Sequence, residues 1–183
     1  MKEITLCIAI LFGGFLHAQN VEWVHSLGGT HRDKPVAMDI DADGNTYVTG
    51  TFVSPIMTFS DSEIELHGSD STDIFLYKRS ASGELLWAKV LGSEGNDHVF
   101  DVKVDEDGNV YLVGWFTKDF VLHDDENPIT FSTSLGMKKG FVAKYDSHGN
   151  LLNAKKTENF GIDTMNFVKI ETDLNGNPNI VVY

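Results

Sequence analysis

Asp41-Ala42-Asp43-Gly44-Asn45-Thr46-Tyr47-Val48-Thr49-Gly50-Thr51-Phe52 returns 64 residues later (41 to 105) as Asp105-Glu106-Asp107-Gly108-Asn109-Val110-Tyr111-Leu112-Val113-Gly114-Trp115-Phe116. It begins again 68 residues further on (105 to 173) as Asp173-Leu174-Asn175-Gly176-Asn177, followed by Pro178-Asn179-Ile180-Val181-Val182-Tyr183. Self-similarity at this spacing describes one supersecondary unit stacked on copies of itself, none of which buries its apolar face alone. The repeat thus decides the fold before any local reading. It describes a scaffold and names no chemistry.

Ahead of each copy, Val36, Met38 and Ile40 alternate with Ala37, Asp39 and Asp41, as do Phe100, Val102 and Val104, and then Val168 and Ile170. Period-two alternation running into Asp-x-x-Gly-Asn is a strand entering a tight hairpin turn, where Gly and Asn tolerate positive φ. Strand A therefore leads into strand B, Thr46–Phe52 and Val110–Phe116. A longer connection follows, 53–72 and 117–139, with β-prone pieces at Met57–Phe59, Glu63–Leu66 and Ile129–Phe131. Strand C is expected at Asp73–Lys78 and Gly140–Lys144, a turn at Gly83 and Gly149, and strand D at Glu84–Leu91 and Asn150–Lys156. Four antiparallel strands joined in order make one blade of a β-propeller.

The fold class expected is all-β, with two complete four-stranded blades, half of a third and an orphan N-terminal outer strand. That orphan is Val21–Leu27, because Trp23 and Gly28 match Trp87 and Gly92 of strand D in copy one. The expected division is 1–18 signal peptide, 19–35 outer strand and linker, 36–98 blade one, 99–166 blade two and 167–183 partial blade three. Propellers close with about 4 to 8 blades. The ring is therefore incomplete, and the chain reads as the N-terminal portion of a longer protein; a short protein that closes its ring by oligomerising is the alternative.

Met1-Lys2-Glu3 followed by the apolar run Ile4–Leu16 and by Ala18 has the form of a secretory signal peptide, and the run is too short to span a bilayer. Cys7, inside that run, is the only cysteine of the 183 residues, which excludes a disulfide scaffold, a zinc-thiolate site and a cysteine nucleophile from the mature chain. The formal charge is -13, from 14 basic and 27 acidic residues, with no basic cluster. This argues against nucleic acid or anionic membrane as partner.

These residues resemble the bacterial seven-bladed β-propeller (SBBP) repeat family. In copy one the resemblance rests on Asp41, Gly44, Asn45, Tyr47, Gly50 and Phe52, then on Asp73, Phe75, Lys78, Gly83, Leu85, Trp87 and Gly92. Copy two keeps most of these but carries Asn153 in place of Trp87. The resemblance implies an exported protein, commonly of a Gram-negative bacterium using type IX secretion, placed outside the cell or on its surface.

Candidate chemistry is sparse. Asp39, Asp41 and Asp43 precede Gly44 in the manner of a calcium loop. Position 12 counted from Asp39 is however Gly50, position 9 is Tyr47, and copy two has Lys103 where Asp39 stands. A plain hairpin turn accounts for the motif better, so the site expectation is no metal, with these three aspartates as the weak candidate. Six histidines beyond the apolar run (His25, His31, His67, His98, His123, His148) show no metal-ligand spacing, and no nucleophile–base pair or phosphate loop is present. No catalytic residue and no cofactor is expected. Asp33, Asp97 and Asp163 recur before each strand A and read as strand-end hydrogen bonds. The function expected is a non-enzymatic interaction or adhesion scaffold. Its partners would be a protein or glycan, the remainder of the propeller, or a second copy through open edges. The alternative is part of an exported hydrolase or quinone-type oxidoreductase whose active site lies in other blades or domains.

Overall fold

Apolar alternation cut by Gly-containing turns gives fifteen strands and no helix among the described residues of the computed structural model, which are 22–69, 71–92, 94–123, 127–134, 137–157, 168–173 and 177–182. The signal peptide expected at 1–18, Asp163 and Gly176 lie outside them. The first blade is β2 (Asp33–Ile40), β3 (Thr46–Phe52), β6 (Asp73–Arg79) and β7 (Leu85–Leu91), antiparallel and in chain order. The second is β8 (His98–Val104), β9 (Val110–Thr117), β12 (Lys138–Tyr145) and β13 (Leu151–Lys156), followed by the hairpin β14 (Val168–Thr172) and β15 (Pro178–Val182). The protein is all-β, with β-propeller-type repeats.

Each A–B turn is closed by the first Asp of the motif. Asp41 Oδ1 accepts from the main-chain N–H of Asn45 (2.8 Å) and of Asp43 (3.1 Å), and its Oδ2 accepts from the Asn45 side chain (2.9 Å). Asp105 does the same with Asp107 and Asn109, and Asp146 with His148 and Asn150 in a C–D turn. Gly44 and Gly108 sit at φ 81° and 79°, the left-handed region an L side chain avoids. Tyr47 Oη and Tyr111 Oη complete the cap on Asp41 Oδ2 and Asp105 Oδ2 (3.1 and 3.2 Å), and the Lys78 and Lys144 ammonium groups stand over the two tyrosine rings, each 4.8 Å from the centroid. A partly buried Asp–Asn–Tyr–Lys network is thus what the repeated letters encode.

Blades pack face to face. Tyr47, Ile74 and Leu76 of the first meet Val102, Val104, Leu112 and Phe141 of the second in one core, while Tyr111 and Val113 on the far face of the second meet Val168 and Ile170. The same position fares differently by blade. Val102 and Val104 are 2% and 8% exposed, whereas their counterparts Met38 and Ile40 are 59% and 54% exposed on the leading face of the first blade.

Three connections tie each blade to the next. On strand A, the Asp39 carboxylate accepts from Val104 N–H at 2.8 Å and pairs with Lys103 at 3.4 Å; Asp101 likewise accepts from Ile170 N–H at 3.1 Å and pairs with Lys169 at 3.6 Å. On strand D, Trp87 reaches the C–D turn of blade two, and Trp23 reaches that of blade one. A Cβ at Gly83 would lie 2.6 Å from the Trp23 ring, and one at Gly149 3.1 Å from the Trp87 ring, so both turns need glycine to admit the indole. Lys78 adds a bond to the Ser147 carbonyl at 3.3 Å.

The third connection departs from the sequence reading. The B–C connections form short hairpins that leave their own blade. In repeat two, β10 (Phe120–Leu122) and β11 (Ile129–Phe131) extend the sheet of blade one through β7, giving the six-stranded order β11-β10-β7-β6-β3-β2. In repeat one, β4 (Ile56–Phe59) and β5 (Glu65–His67) pair with β1 (Leu27–Gly29). The outer strand expected at Val21–Leu27 accordingly starts later, at Leu27; residues 22–26 carry no strand pairing, although the Ser26 carbonyl accepts from Ser60 N–H at 3.0 Å. Side chains hold the residues before it. Buried Arg79 forks onto Asp61 of the β4–β5 turn (2.7 and 2.8 Å), and His25 lies 3.3 Å from the same carboxylate with Trp23 stacked on its ring.

Candidate binding cleft between the blades

Strand order fixes which loops share a face. The Asp-Gly-Asn turns and the Gly83 and Gly149 turns lie at one end of the blades, and the B–C and D–A connections lie at the other. Asp33 organises that second end in repeat one. Its Oδ2 accepts from Gly29 N–H (2.7 Å) and Ser54 Oγ (2.9 Å), and its Oδ1 from Val53 N–H (3.3 Å) and Ser54 N–H (3.4 Å). Asp97 holds repeat two in the same way, accepting from Thr117 N–H at 3.3 Å. The recurring acid before strand A is therefore a clasp between the D–A and B–C connections, as the sequence pattern suggests.

Between the two clasps runs an open cleft of about 940 Å³. The stretch before β6 supplies Ser69, Ser71 and Thr72, and the D–A connection supplies Glu94 and Asn96. Thr117 and Lys118 come from the end of β9, and Val53 stands at the rim. The walls are joined across the blade boundary. Ser71 Oγ donates to Gly95 O at 2.6 Å, Asp97 N–H donates to Thr72 O at 2.8 Å, and Thr72 N–H donates to Asn96 Oδ1 at 3.3 Å. Among the described residues, hydroxyls, an amide, a carboxylate and an ammonium make a surface suited to hydrogen-bonding a polar ligand, with Val53 as its apolar edge. Lys118 sits at φ 57°, a conformation non-glycine residues rarely adopt. Behind the wall, Asp73 and Asp97 are both buried, and burial pushes the Asp73 carboxyl up despite its bonds from Ser69.

The weak calcium candidate dissolves into separate roles. Asp39 faces the neighbouring blade, Asp41 caps its own turn and contacts Lys78 at 3.6 Å, and Asp43 is exposed beyond the turn. For Asp41, burial alone would raise the carboxyl, but bonds from Asn45 and Tyr47 and the Lys78 ammonium outweigh it and hold the group below the usual carboxylate range. The three do not converge, and among the described residues no three acidic, imidazole or thiol side chains do. Sequence reasoning pointed to the face of long connections but not to Ser71, Glu94, Asn96 or Lys118. None of these carries a local signal, since the cleft arises only when two repeats meet.

No family model matches the chain. It is similar to an uncharacterised WD repeat-containing protein of Acanthamoeba polyphaga mimivirus, with 26% identity over a 174-residue alignment that covers 88% of this chain. That is a likeness between propeller-type repeats. The matched region is 12% of that relative, so the chain spans only a small part of its length.

Proposed function

We propose that the chain is an exported, non-enzymatic β-propeller segment that acts as an interaction scaffold, recognising a protein or glycan through the face that carries its long connections. The observation that carries this reading is the cleft itself. Connections from two consecutive repeats are clasped by Asp33 and Asp97 to rigid sheets and present Ser71, Asn96, Glu94 and Lys118 along one groove. Binding residues generally sit on loops held by such a scaffold. Similarity to a WD repeat-containing protein supports a scaffold role, and resemblance to SBBP repeats supports export to the surface of a Gram-negative cell. The same resemblance supports a longer propeller, with blades at 36–98 and 99–166. The test is a glycan array and cell-surface binding assay with the wild type and a Val53→Arg/Glu94→Arg variant, which obstructs the groove and makes it positive while keeping the Asp33 and Asp97 side chains and the Val53 N–H in place. Binding by the wild type that the variant loses sustains the reading; equal binding by both overturns it.

A further inference from the structure

One buried carboxylate in the seam between the repeats, Asp73, has an oxygen that no hydrogen bond reaches, with the His123 imidazole as the nearby group that favours its charged form. Asp73 is 1% exposed; its Oδ2 accepts from Ser69 N–H, and its Oδ1 has no hydrogen-bond partner. Across from it stands Asp97, 0% exposed. The two carboxylates border the same point. A Cβ placed on Gly92 would collide with Asp73 Oδ1 and lie 2.7 Å from Asp97 Oδ2, and Gly92 itself sits at φ 136°, where a side chain is strained. Two carboxylates that face each other out of water repel and lose hydration, so the arrangement calls for a positive charge between them.

The other repeat shows how that charge can be supplied. Asp73 pairs across the sheet with Phe52, and the residue that pairs with the equivalent Phe116 is Lys139. One repeat places an ammonium group where the other places a carboxylate. We propose that Asp73 and Asp97 hold an oxygen-coordinated cation from solution at the blade boundary, calcium being the ion that suits them. The donors are hard oxygens, which favour calcium or magnesium over softer metals. Calcium tolerates irregular geometry and completes its shell with carbonyls and water, whereas magnesium demands a near-ideal octahedron. Among the described residues, His123 after β10 acts electrostatically on Asp73, and Glu94 and Lys118 line the cleft. The site is independent of the partner reading above, since it concerns what joins the blades rather than what the groove binds.

The experiment is a calcium titration of the full chain, stripped with EDTA, followed by calorimetry and thermal melting. One site is expected, and calcium at about 100 times its Kd raises Tm by roughly 5 to 10 °C. Asp73→Asn should bind at least about tenfold more weakly. Asp39→Asn, at the distant strand A contact, keeps the response. Asp73→Lys copies the second repeat and should fold without calcium and melt near the calcium-loaded wild type. The absence of a wild-type response, or an undiminished response in Asp73→Asn, overturns the proposal. So does an Asp73→Asn protein that melts above the wild type with and without calcium, which would show that the buried acid holds a proton.

Discussion

The indole Nε1 of Trp87 donates a 3.1 Å hydrogen bond to the main-chain carbonyl of Ser147, 60 residues along the chain and one repeat away. Trp23 makes the same bond to Ala81 at 3.2 Å. Truncating Trp87 to Ala removes both the bond and the half-buried ring that fills the space above Gly149, and should cost up to about 3 kcal/mol. Trp87→Phe keeps most of the ring and should cost about 1 kcal/mol, the worth of the donor. Urea unfolding of both variants measures the difference; equal losses would show that the ring carries nothing.

Asp105 stands at the centre of a buried cap, with Asn109, Tyr111 and Lys144 around its carboxylate. Asp105→Ala leaves those donors without their acceptor and should cost about 3 kcal/mol or more. Asp173 has the same bonds to Asn177, and both residues are exposed, so Asp173→Ala should cost about 1 kcal/mol.

Acid should act on the fold from two directions. Asp61, held down by the Arg79 fork, and Asp41 and Asp146, whose hydrogen bonds outweigh burial, all have lowered carboxyl values in the folded state. Their contribution is complete above the ordinary value of 3.8 and is lost as pH falls below it through the lowered values. Asp73 behaves oppositely, because burial raises it. Its folded state favours the proton, so stability falls as pH rises from 3.8 through the raised value. In calcium-free buffer, urea titrations across pH should therefore show an acid limb below about pH 4 and a shallower decline above it. Asp73→Asn should remove only the second.

Met38 and Ile40 expose on the first blade the positions that Val102 and Val104 bury on the second. Apolar exposure of that kind invites association with another chain. Met38→Lys/Ile40→Lys should leave the melt within about a degree while reducing the mass seen by light scattering, whereas Val102→Lys should prevent folding. Unchanged scattering in the double variant would remove this face from any contact.

Export carries its own measurement. Cleavage after Ala18 should leave material that begins at Gln19, so intact-mass analysis of the culture supernatant should lack residues 1–18. Recovery of Met1 in a cytoplasmic product would end the export reading.

What the sequence made legible was local. The turns at Asp41 and Asp105 could be read because their hydrogen bonds close within four residues, and the strands because their apolar period is two. Trp87 could be read as a blade contact because it recurs as Trp23. What stayed hidden depends on residues far apart in the chain. The Asp39 contact with Lys103 could not be read because only the packing of strand A on strand A brings them together, and the aspartates around it imitate a calcium loop. Phe120–Leu122 carries the alternation of a strand but is too short to be read, and its partner β7 belongs to the previous repeat. The cleft shares this origin. Its walls come from 53, 68, 69, 71, 72, 94–96 and 117–118, which no single repeat contains together.

The pairing of β10 with β7 puts the written repeat and the hydrogen-bonded sheet out of phase, since a sheet that begins at β2 is finished by a hairpin from the following copy. Duplication or loss of one whole copy keeps this overlap, whatever point it starts from, because every new junction recreates it. A break that is not a whole multiple of the repeat deprives one sheet of its borrowed hairpin and leaves another hairpin with no edge to join. Lengthening or shortening this lineage by full copies is therefore the permitted path, and the near-constant spacing of the Asp-x-x-Gly-Asn turns is the trace such a history leaves.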